Sequence, residues 1–376
     1  MNAKIDAMLQ SLSHCGIPAC DFIVTHKGKK IYRGSAGFSD VEGTRPVSSD
    51  DIYYMYSVSK ITTCVAAMRL VEEDRLGLDD PVYKYLPAFR HLTVKEKNVI
   101  VPTKNILTIR HLFTMMGGLN YNLNAEPILR AKNDPKADTL RIVNSFAESP
   151  LDFEPGTRYQ YSLCHDVLAA VVEVVSGMRF ADYVKKIVFD PLGMYNTGYH
   201  LPESLMPRLS AMYTYINGLF QAKPRDNIHN EHILNDHYDS GGAGLYSSAD
   251  DQIRLMTVLA NGGKTEDGYT LLMPKTIALM QVGELPDCAK PQFGPYRLFG
   301  YSWGLCGRVH VDPIVSHSRS GVGEFGWDGA AGSFALVDPA KQVAMFFAMH
   351  VLGCLYAYYT VFPTLRDLAY ELIEGQ

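Results

Sequence analysis

The sequence lacks the features that mark several large classes of protein. It has no dense run of lysine and arginine and its formal net charge is −5, so a nucleic-acid partner is not expected. The longest apolar stretch, Val343 to Tyr359, is interrupted by His350 and Gly353, so a membrane-spanning helix is not expected either. The G-x-S-x-G motif is also missing, which argues against an α/β-hydrolase.

Cysteine usage points away from a disulfide-stabilised protein. The seven cysteines are odd in number and scattered, and no Cys-x-x-Cys pair occurs. We therefore expect reduced thiols in a cytoplasmic protein. The first residues agree with this expectation, because Ile5, Met8, Leu9 and Leu12 recur at helical spacing. That pattern indicates an amphipathic helix rather than a signal peptide.

The pattern of secondary structure predicts an α+β fold. With 376 residues, 47% of them hydrophobic and 20% charged, the chain can bury a sizeable core. Strands are predicted near both ends, at Asp21 to Val24, Lys30 to Gly37, Tyr301 to Val309, Gly332 to Asp338 and Gln342 to Met349. The middle of the chain reads mostly as helices. One sheet should therefore combine the N- and C-terminal thirds, with the helical middle inserted between them.

Ser57 and Lys60 are the first candidates for catalysis. A helix is predicted from Ser57 to about Arg75, which puts Lys60 one turn above Ser57 on the same face. A serine hydroxyl is a weak nucleophile that needs a neighbouring base, and a buried lysine can supply one. The spacing alone also fits a helix cap followed by an exposed lysine, so the interpretation depends on the rest of the chain.

Further blocks follow Ser57-Val58-Ser59-Lys60 along the chain. They are Thr108 to Leu119, Pro155-Gly156-Thr157 with Tyr161-Ser162, Pro191 to Met194, Gly241 to Asp250, and Gly326 to Ala330. In order and spacing this set resembles the serine β-lactamase and penicillin-binding-protein superfamily, and within it the class C-like branch that includes family VIII carboxylesterases. The resemblance spans roughly residues 20 to 350.

The resemblance implies a β-lactamase/DD-peptidase-like fold with an antiparallel sheet flanked by helices. We expect one catalytic domain over residues 1–376. Its α/β subdomain would comprise about residues 1–70 and 296–376, and its mostly helical subdomain about residues 71–295.

The resemblance also implies roles for individual residues. Ser57 would be the acylated nucleophile, Lys60 would share its proton, and Tyr161 would act with the lysine as base and then as acid. The backbone N–H groups of Ser57 and Ala330 would form the oxyanion hole. No cofactor and no metal is needed for this chemistry, and a small acyl compound would be the partner.

Two departures from the superfamily's motifs bear on the substrate. The second motif usually reads Tyr-x-Asn, but position 163 is Leu163, so an amide donor is absent from this substrate-binding position. The third motif, Lys-Thr-Gly, is replaced by Trp327-Asp328-Gly329. A tryptophan offers an apolar wall and one N–H donor in place of a cation. Neutral acyl esters are therefore favoured over carboxylate-bearing β-lactams.

Several alternatives stay open at this point. The same residues could serve a β-lactamase or D-amino-acid peptidase, an acyltransferase, or a non-catalytic binding protein that retains the fold. His229, His232 and His237, with Asp236 and Asp239, could suggest a metal site. Their spacing lacks a helical or zinc-finger pattern, so a polar loop near the mouth of the cleft is the preferred interpretation.

Overall fold

Strands from both ends of the chain meet in one antiparallel sheet. The structure is a computed structural model and describes residues 2–293 and 298–375. In this part of the chain the largest sheet has seven strands. The expected sheet of N- and C-terminal segments is thereby confirmed.

The strands are β1 (Ala19–His26), β2 (Lys29–Gly37), β3 (Tyr53–Tyr54), β4 (Thr93–Glu96), β5 (Val99–Pro102), β6 (Tyr213–Ile216), β7 (Gln221–Pro224), β8 (Tyr246–Ser247), β9 (Tyr301–Gly304), β10 (Gly307–His310), β11 (Phe325–Asp328), β12 (Phe334–Asp338), β13 (Val343–Ala348) and β14 (Val351–Leu352). The large sheet runs in the order β2-β1-β13-β12-β11-β10-β9.

The helices are α1 (Asn2–Ser11), α2 (Ser59–Glu72), α3 (Ile109–Phe113), α4 (Glu126–Lys132), α5 (Thr139–Phe146), α6 (Cys164–Ser176), α7 (Phe180–Val184), α8 (Ala249–Ala260), α9 (Pro274–Met280), α10 (Lys290–Phe293), α11 (Pro313–Ser316) and α12 (Phe362–Glu374). A 3₁₀ turn at Tyr56–Val58 precedes α2, and a π-helical turn at Ala357–Val361 precedes α12. No helix in residues 2–293 or 298–375 is both long and apolar enough to cross a bilayer.

The two faces of the sheet are covered by different helices. Strand β1 alternates, since Phe22 and Val24 pack into the cluster that α1 and α12 cover, while Ile23 belongs to the larger core. That larger core continues through α2 and α6, which pack against each other. The period of two in a strand produces this division. As a result α2, with the residues just before it, lies between the sheet and the helical region.

Three sequence-based boundaries are corrected by the structure. The α-helix begins at Ser59 instead of Ser57, because Ser57 and Val58 belong to the 3₁₀ turn that precedes it. The run from Tyr301 to Val309 is two strands, β9 and β10, because Gly307 turns the chain with a φ of 106°. The strand predicted from Gly332 begins at Phe334, and the strand before it, β11, which ends at the third motif, was not predicted.

Candidate active site

Ser57 lies on a strained turn that neighbouring residues hold in place. Tyr56, directly before it, is in the left-handed region, which costs about 1–3 kcal/mol and persists only where the surroundings enforce it. Here Ser59 Oγ donates to the Tyr56 carbonyl at 2.5 Å and accepts from the Leu245 N–H at 3.0 Å. The turn presents Ser57 to a cavity while the residues on both sides of it are buried.

Lys60 is buried, and its ammonium group reaches three oxygens. Its side chain is in the first turn of α2 and the residue is 1% exposed. Nζ lies 3.3 Å from Ser57 Oγ, 2.8 Å from Tyr121 Oη and 2.7 Å from the Gly242 carbonyl. A buried ammonium needs all three of its N–H groups satisfied. These contacts point one of them at the Ser57 hydroxyl and hold it there.

The carbonyl that accepts from Lys60 is positioned by a buried carboxylate. Asp166 Oδ1 accepts from Tyr238 Oη at 2.8 Å, from Ser240 Oγ at 2.7 Å and from the Gly242 N–H at 3.2 Å. A Cβ atom at Gly242 would come within 2.4 Å of Asp166 Oδ2, so only glycine fits this approach. Asp166 therefore fixes the turn that brings the Gly242 carbonyl to Lys60.

We expect Asp166→Ala to lower both stability and turnover. Three buried donors would lose their acceptor, and each loss costs about 1–3 kcal/mol. A fall of about 3 kcal/mol or more in the free energy of unfolding, measured in urea, should accompany a lower kcat. Asp166→Asn retains an acceptor at the same place, so its free energy of unfolding and its kcat should lie between those of Asp166→Ala and the wild type. Unchanged kcat in a folded Asp166→Ala protein would show that the turn does not position Lys60.

Two tyrosines stack beside the lysine. The rings of Tyr121 and Tyr161 are 5.6 Å apart at an interplanar angle of 22°, and Lys60 Nζ is 4.6 Å from the centroid of the Tyr161 ring. Tyr161 Oη accepts a hydrogen bond from Trp327 Nε1 at 2.8 Å. Burial raises the pKa of the Tyr121 phenol well above its usual range, although the Lys60 charge opposes this. Tyr121 is therefore a neutral phenol. Tyr161 differs from it, because its oxygen accepts a hydrogen bond from the indole N–H of Trp327.

Gly329 lets the third motif approach the turn that carries Ser57. A Cβ atom at this position would lie 2.4 Å from the Met55 carbonyl oxygen, so a larger residue would push β11 away. Among the described residues, neither the Ser57 N–H nor the Ala330 N–H donates to another protein group. Backbone N–H groups are rarely left unused unless solvent or a ligand takes them. Both donors belong to residues that line the same cavity.

The cavity next to Ser57 has a volume of about 630 Å³. That is within the range of small-molecule sites. Its lining comprises Ser57, Tyr161, Leu298, Phe299, Tyr301, Val315, Ser316, His317, Trp327, Asp328, Gly329, Ala330, Leu355, Tyr358, Tyr359, Pro363 and Arg366. The cavity is thus lined by six of the predicted site residues, Ser57, Tyr161, Trp327, Asp328, Gly329 and Ala330, and Lys60, outside the lining, contacts Ser57.

Leu163, unlike the other predicted substrate-binding residues, does not line the cavity. It is 4% exposed, directly precedes α6 and packs into the hydrophobic core. An apolar side chain at this position is better stabilised in the core than at a polar reaction centre.

The histidines of the 229–237 loop do not form a metal site. Within residues 2–293 and 298–375 there is no group of three or more His, Cys, Asp or Glu side chains that could hold a metal ion. His232 instead packs edge-on against Tyr121, with ring centroids 5.7 Å apart, and against Tyr56 at 6.0 Å. Burial lowers its pKa, so its role here is that of a neutral ring beside the tyrosines.

Sequence reasoning did not find Tyr121 and Asp166. Neither belongs to a motif used above, and each acts through a contact with a residue at least 61 positions away. The Ser240 to Gly244 turn was visible as a cluster of glycines, but its contact with Lys60 was not.

Comparisons with known proteins identify the family of the chain. The model of the family described as Beta-lactamase matches residues 3–353. Esterase EstB from Burkholderia gladioli is 30% identical over 372 residues, which are 91% of this chain and 88% of EstB. Acyltransferase calJ from Penicillium decumbens is 28% identical over 87% of this chain and 82% of its own length.

A solved structure shows the same architecture over nearly the whole chain. It is EstCE1, described as a hydrolase with promiscuous acyltransferase activity, with a TM-score of 0.80 and 28% sequence identity. The match covers 98% of both chains. The β-lactamase-like fold expected from the sequence is therefore confirmed.

Proposed function

The chain belongs to the beta-lactamase family and is a serine hydrolase, and on this premise we propose that it hydrolyses neutral acyl esters through a covalent acyl-enzyme on Ser57. The observation that carries the proposal is the 3.3 Å contact of Lys60 Nζ with Ser57 Oγ at the edge of a 630 Å³ cavity. The similarity to an esterase over 91% of the chain supports the same reaction class.

In the first step Ser57 Oγ attacks the ester carbonyl, and its proton passes to the Tyr161 oxygen, which acts as the phenolate, while Lys60 holds the Ser57 hydroxyl. The carbonyl oxygen becomes an oxyanion, which accepts hydrogen bonds from the Ser57 and Ala330 N–H groups. Within the described residues these two N–H groups donate to no other protein group. The C–O bond to the alcohol then breaks, and the alcohol takes the proton from Tyr161. Water attacks the acyl-enzyme by the same route, releasing the acid and restoring Ser57.

Trp327 favours esters over β-lactams. Its ring lies 5.5 Å from that of Tyr161 and its Nε1 donates to the Tyr161 oxygen, so this wall is apolar where a lysine would hold a carboxylate. A charge-assisted hydrogen bond contributes about 1.5–3 kcal/mol, so its absence costs a carboxylate-bearing substrate about 10- to 100-fold in binding.

We therefore expect kcat/KM for p-nitrophenyl butyrate to exceed that for a chromogenic cephalosporin by about 100-fold or more. Trp327→Lys should narrow the ratio by about tenfold, since it restores the cation. Trp327→Phe is the matched control, because it also removes the N–H donor but adds no charge. A wild-type enzyme that prefers the cephalosporin would refute the ester assignment and favour a β-lactamase or peptidase.

Acyl transfer is a second candidate, favoured by the names of two relatives. One is called an acyltransferase and the other a hydrolase with promiscuous acyltransferase activity. The same acyl-enzyme would pass its acyl group to an alcohol or amine in place of water. Measuring transfer products against free acid with added alcohol separates the two, and free acid alone would exclude transfer to that acceptor.

A cytoplasmic location remains part of the proposal. All seven cysteines lie in the described part of the chain and carry free thiols, and five of them are buried. Such a set suits a reducing compartment. Fractionation of the source cells, with the protein followed by antibody, tests this, and recovery outside the cytoplasm would overturn it.

A further inference from the structure

One wall of the cavity is a continuous network of charged and polar side chains. Arg366 Nη1 donates to Tyr301 Oη at 3.2 Å, and Tyr301 Oη donates to Glu324 at 3.2 Å. Arg308 then bridges Glu324, at 3.3 Å, and Asp328, at 3.0 Å. Arg366, Tyr301 and Asp328 line the cavity, whereas Arg308 and Glu324 are buried behind it.

Asp328 is the member of this network that belongs to the third motif. It follows Trp327 at the end of β11 and precedes Gly329 and Ala330, which also line the cavity. Its Oδ1 accepts from Arg308 Nη1. Its Oδ2 has no hydrogen-bond partner in the part of the chain that the structure describes, and 18% of the side chain is exposed. A carboxylate oxygen is therefore available to a bound molecule.

The chemistry of this oxygen selects a donor. Burial raises the pKa of the Asp328 carboxyl to about 6, with Arg308 opposing the shift. At neutral pH the group is thus largely ionised and can only accept hydrogen bonds. Arg308 shares its charge between Asp328, at 3.0 Å, and Glu324, at 3.3 Å. A neutral hydroxyl therefore suits the position, while a carboxylate would be repelled.

We propose that Asp328 is a specificity-determining residue, which accepts a hydrogen bond from a hydroxyl group of the substrate and so directs the enzyme to hydroxyl-bearing esters. The inference rests on the proposed esterase function and adds the substrate class. Trp327, Tyr161 and Tyr358 supply the apolar surface for the carbon skeleton. Asp328 supplies the polar contact that distinguishes one ester from another.

Paired substrates test the inference on both sides of the scissile bond. On the acyl side, p-nitrophenyl 3-hydroxybutyrate is compared with p-nitrophenyl butyrate. On the alcohol side, glycerol 1-monobutyrate is compared with propyl butyrate. We expect kcat/KM for the hydroxylated member of at least one pair to be about tenfold higher or more in the wild type. In Asp328→Ala that preference should fall by about tenfold, because the acceptor is gone.

Two further variants separate recognition from structural damage. Asp328→Asn keeps the shape of the side chain and an acceptor for Arg308, so the protein should fold. Its oxygen is neutral, so the preference for the hydroxylated ester should be smaller than in the wild type. Glu324→Gln perturbs the same network through Arg308 without touching the cavity, and should keep the wild-type preference. Because each readout is a ratio of two substrates, a general loss of activity does not affect it.

The outcomes distinguish this inference from the function on which it rests. Hydrolysis of both alkyl esters with no hydroxyl preference in either pair would overturn the inference and leave the esterase proposal standing. A preference that survives Asp328→Ala, or that Glu324→Gln removes equally, would also overturn it. If the wild type preferred 3-aminopropyl butyrate to both hydroxylated esters, and Asp328→Asn lost that preference, the group recognised by Asp328 would be an ammonium and not a hydroxyl. No hydrolysis of any ester would instead refute the esterase proposal.

Discussion

Ser57→Ala is expected to lower kcat for p-nitrophenyl butyrate by roughly 10⁴- to 10⁶-fold, which is the scale seen when a covalent nucleophile is removed. The substitution deletes one partly exposed oxygen on the turn before α2, so the protein should still fold. Circular dichroism and the midpoint of urea unfolding check this. A large loss of kcat with an unchanged midpoint assigns the effect to chemistry.

Ser11→Ala is the matched control for this substitution. Ser11 is an exposed serine at the end of α1 and has no contact with the cavity. It should retain full activity. A folded Ser57→Ala enzyme with more than about a tenth of wild-type kcat would mean that the ester is cleaved without this hydroxyl, since no route through a covalent Ser57 intermediate would then be needed.

The two stacked tyrosines should have unequal effects on kcat. General-base catalysis contributes about 10²- to 10⁴-fold, and we expect Tyr161→Phe to lose that amount. Tyr161 lines the cavity with Ser57, and Trp327 Nε1 supports negative charge on its oxygen. Tyr121→Phe removes only an acceptor of Lys60, so about a tenfold loss is expected from the hydrogen bond to a charged group.

The order of these two losses is the decisive result, and pre-steady-state release of p-nitrophenol measures it at the acylation step. The two substitutions are chemically identical and the two rings are 5.6 Å apart, so each serves as the control for the other. A greater loss in Tyr121→Phe would assign the base to the buried tyrosine. Tyr161 would then be a ring that shapes the cavity.

Local spacing and motif order were enough to predict the parts of the fold that depend on them. The paired strands β1 and β2 occur where strands were predicted, and the Thr108-capped helix α3 lies within the block Thr108 to Leu119. Each is stabilised by contacts within a few residues, such as the Thr108 side chain accepting from the His111 N–H. Short-range signals of this kind are read directly from sequence.

The features that sequence reasoning missed depend on long-range contacts. Lys60 meets Gly242 across 182 positions, and Asp166 meets Ser240 across 74. Neither pairing has a local pattern. The prediction of α2 from Ser57 missed the 3₁₀ turn at Tyr56–Val58, where Ser59 Oγ donates to the Tyr56 carbonyl and accepts from the distant Leu245 N–H. Tertiary contacts here override the local preference for helix.

Leu163 illustrates the limit of transferring a motif position. The position was expected at the substrate because the superfamily's motif has an amide there. In this chain the side chain is apolar, and it packs in the core before α6. Asp328 shows the opposite case, since a departure from the usual motif placed a charged group on the cavity wall. The position in the motif predicted that each residue lies near the active site, while the residue type decided whether its side chain packs in the core or lines the cavity.

Covalent labelling tests the central claim most directly. The wild-type protein is incubated with a fluorophosphonate, its intact mass is recorded, and the modified peptide is located by tandem mass spectrometry. We predict a single adduct, on Ser57, and none in Ser57→Ala. An unmodified wild-type protein, or a label carried by another residue, would contradict the account of Ser57 as the nucleophile that Lys60 contacts.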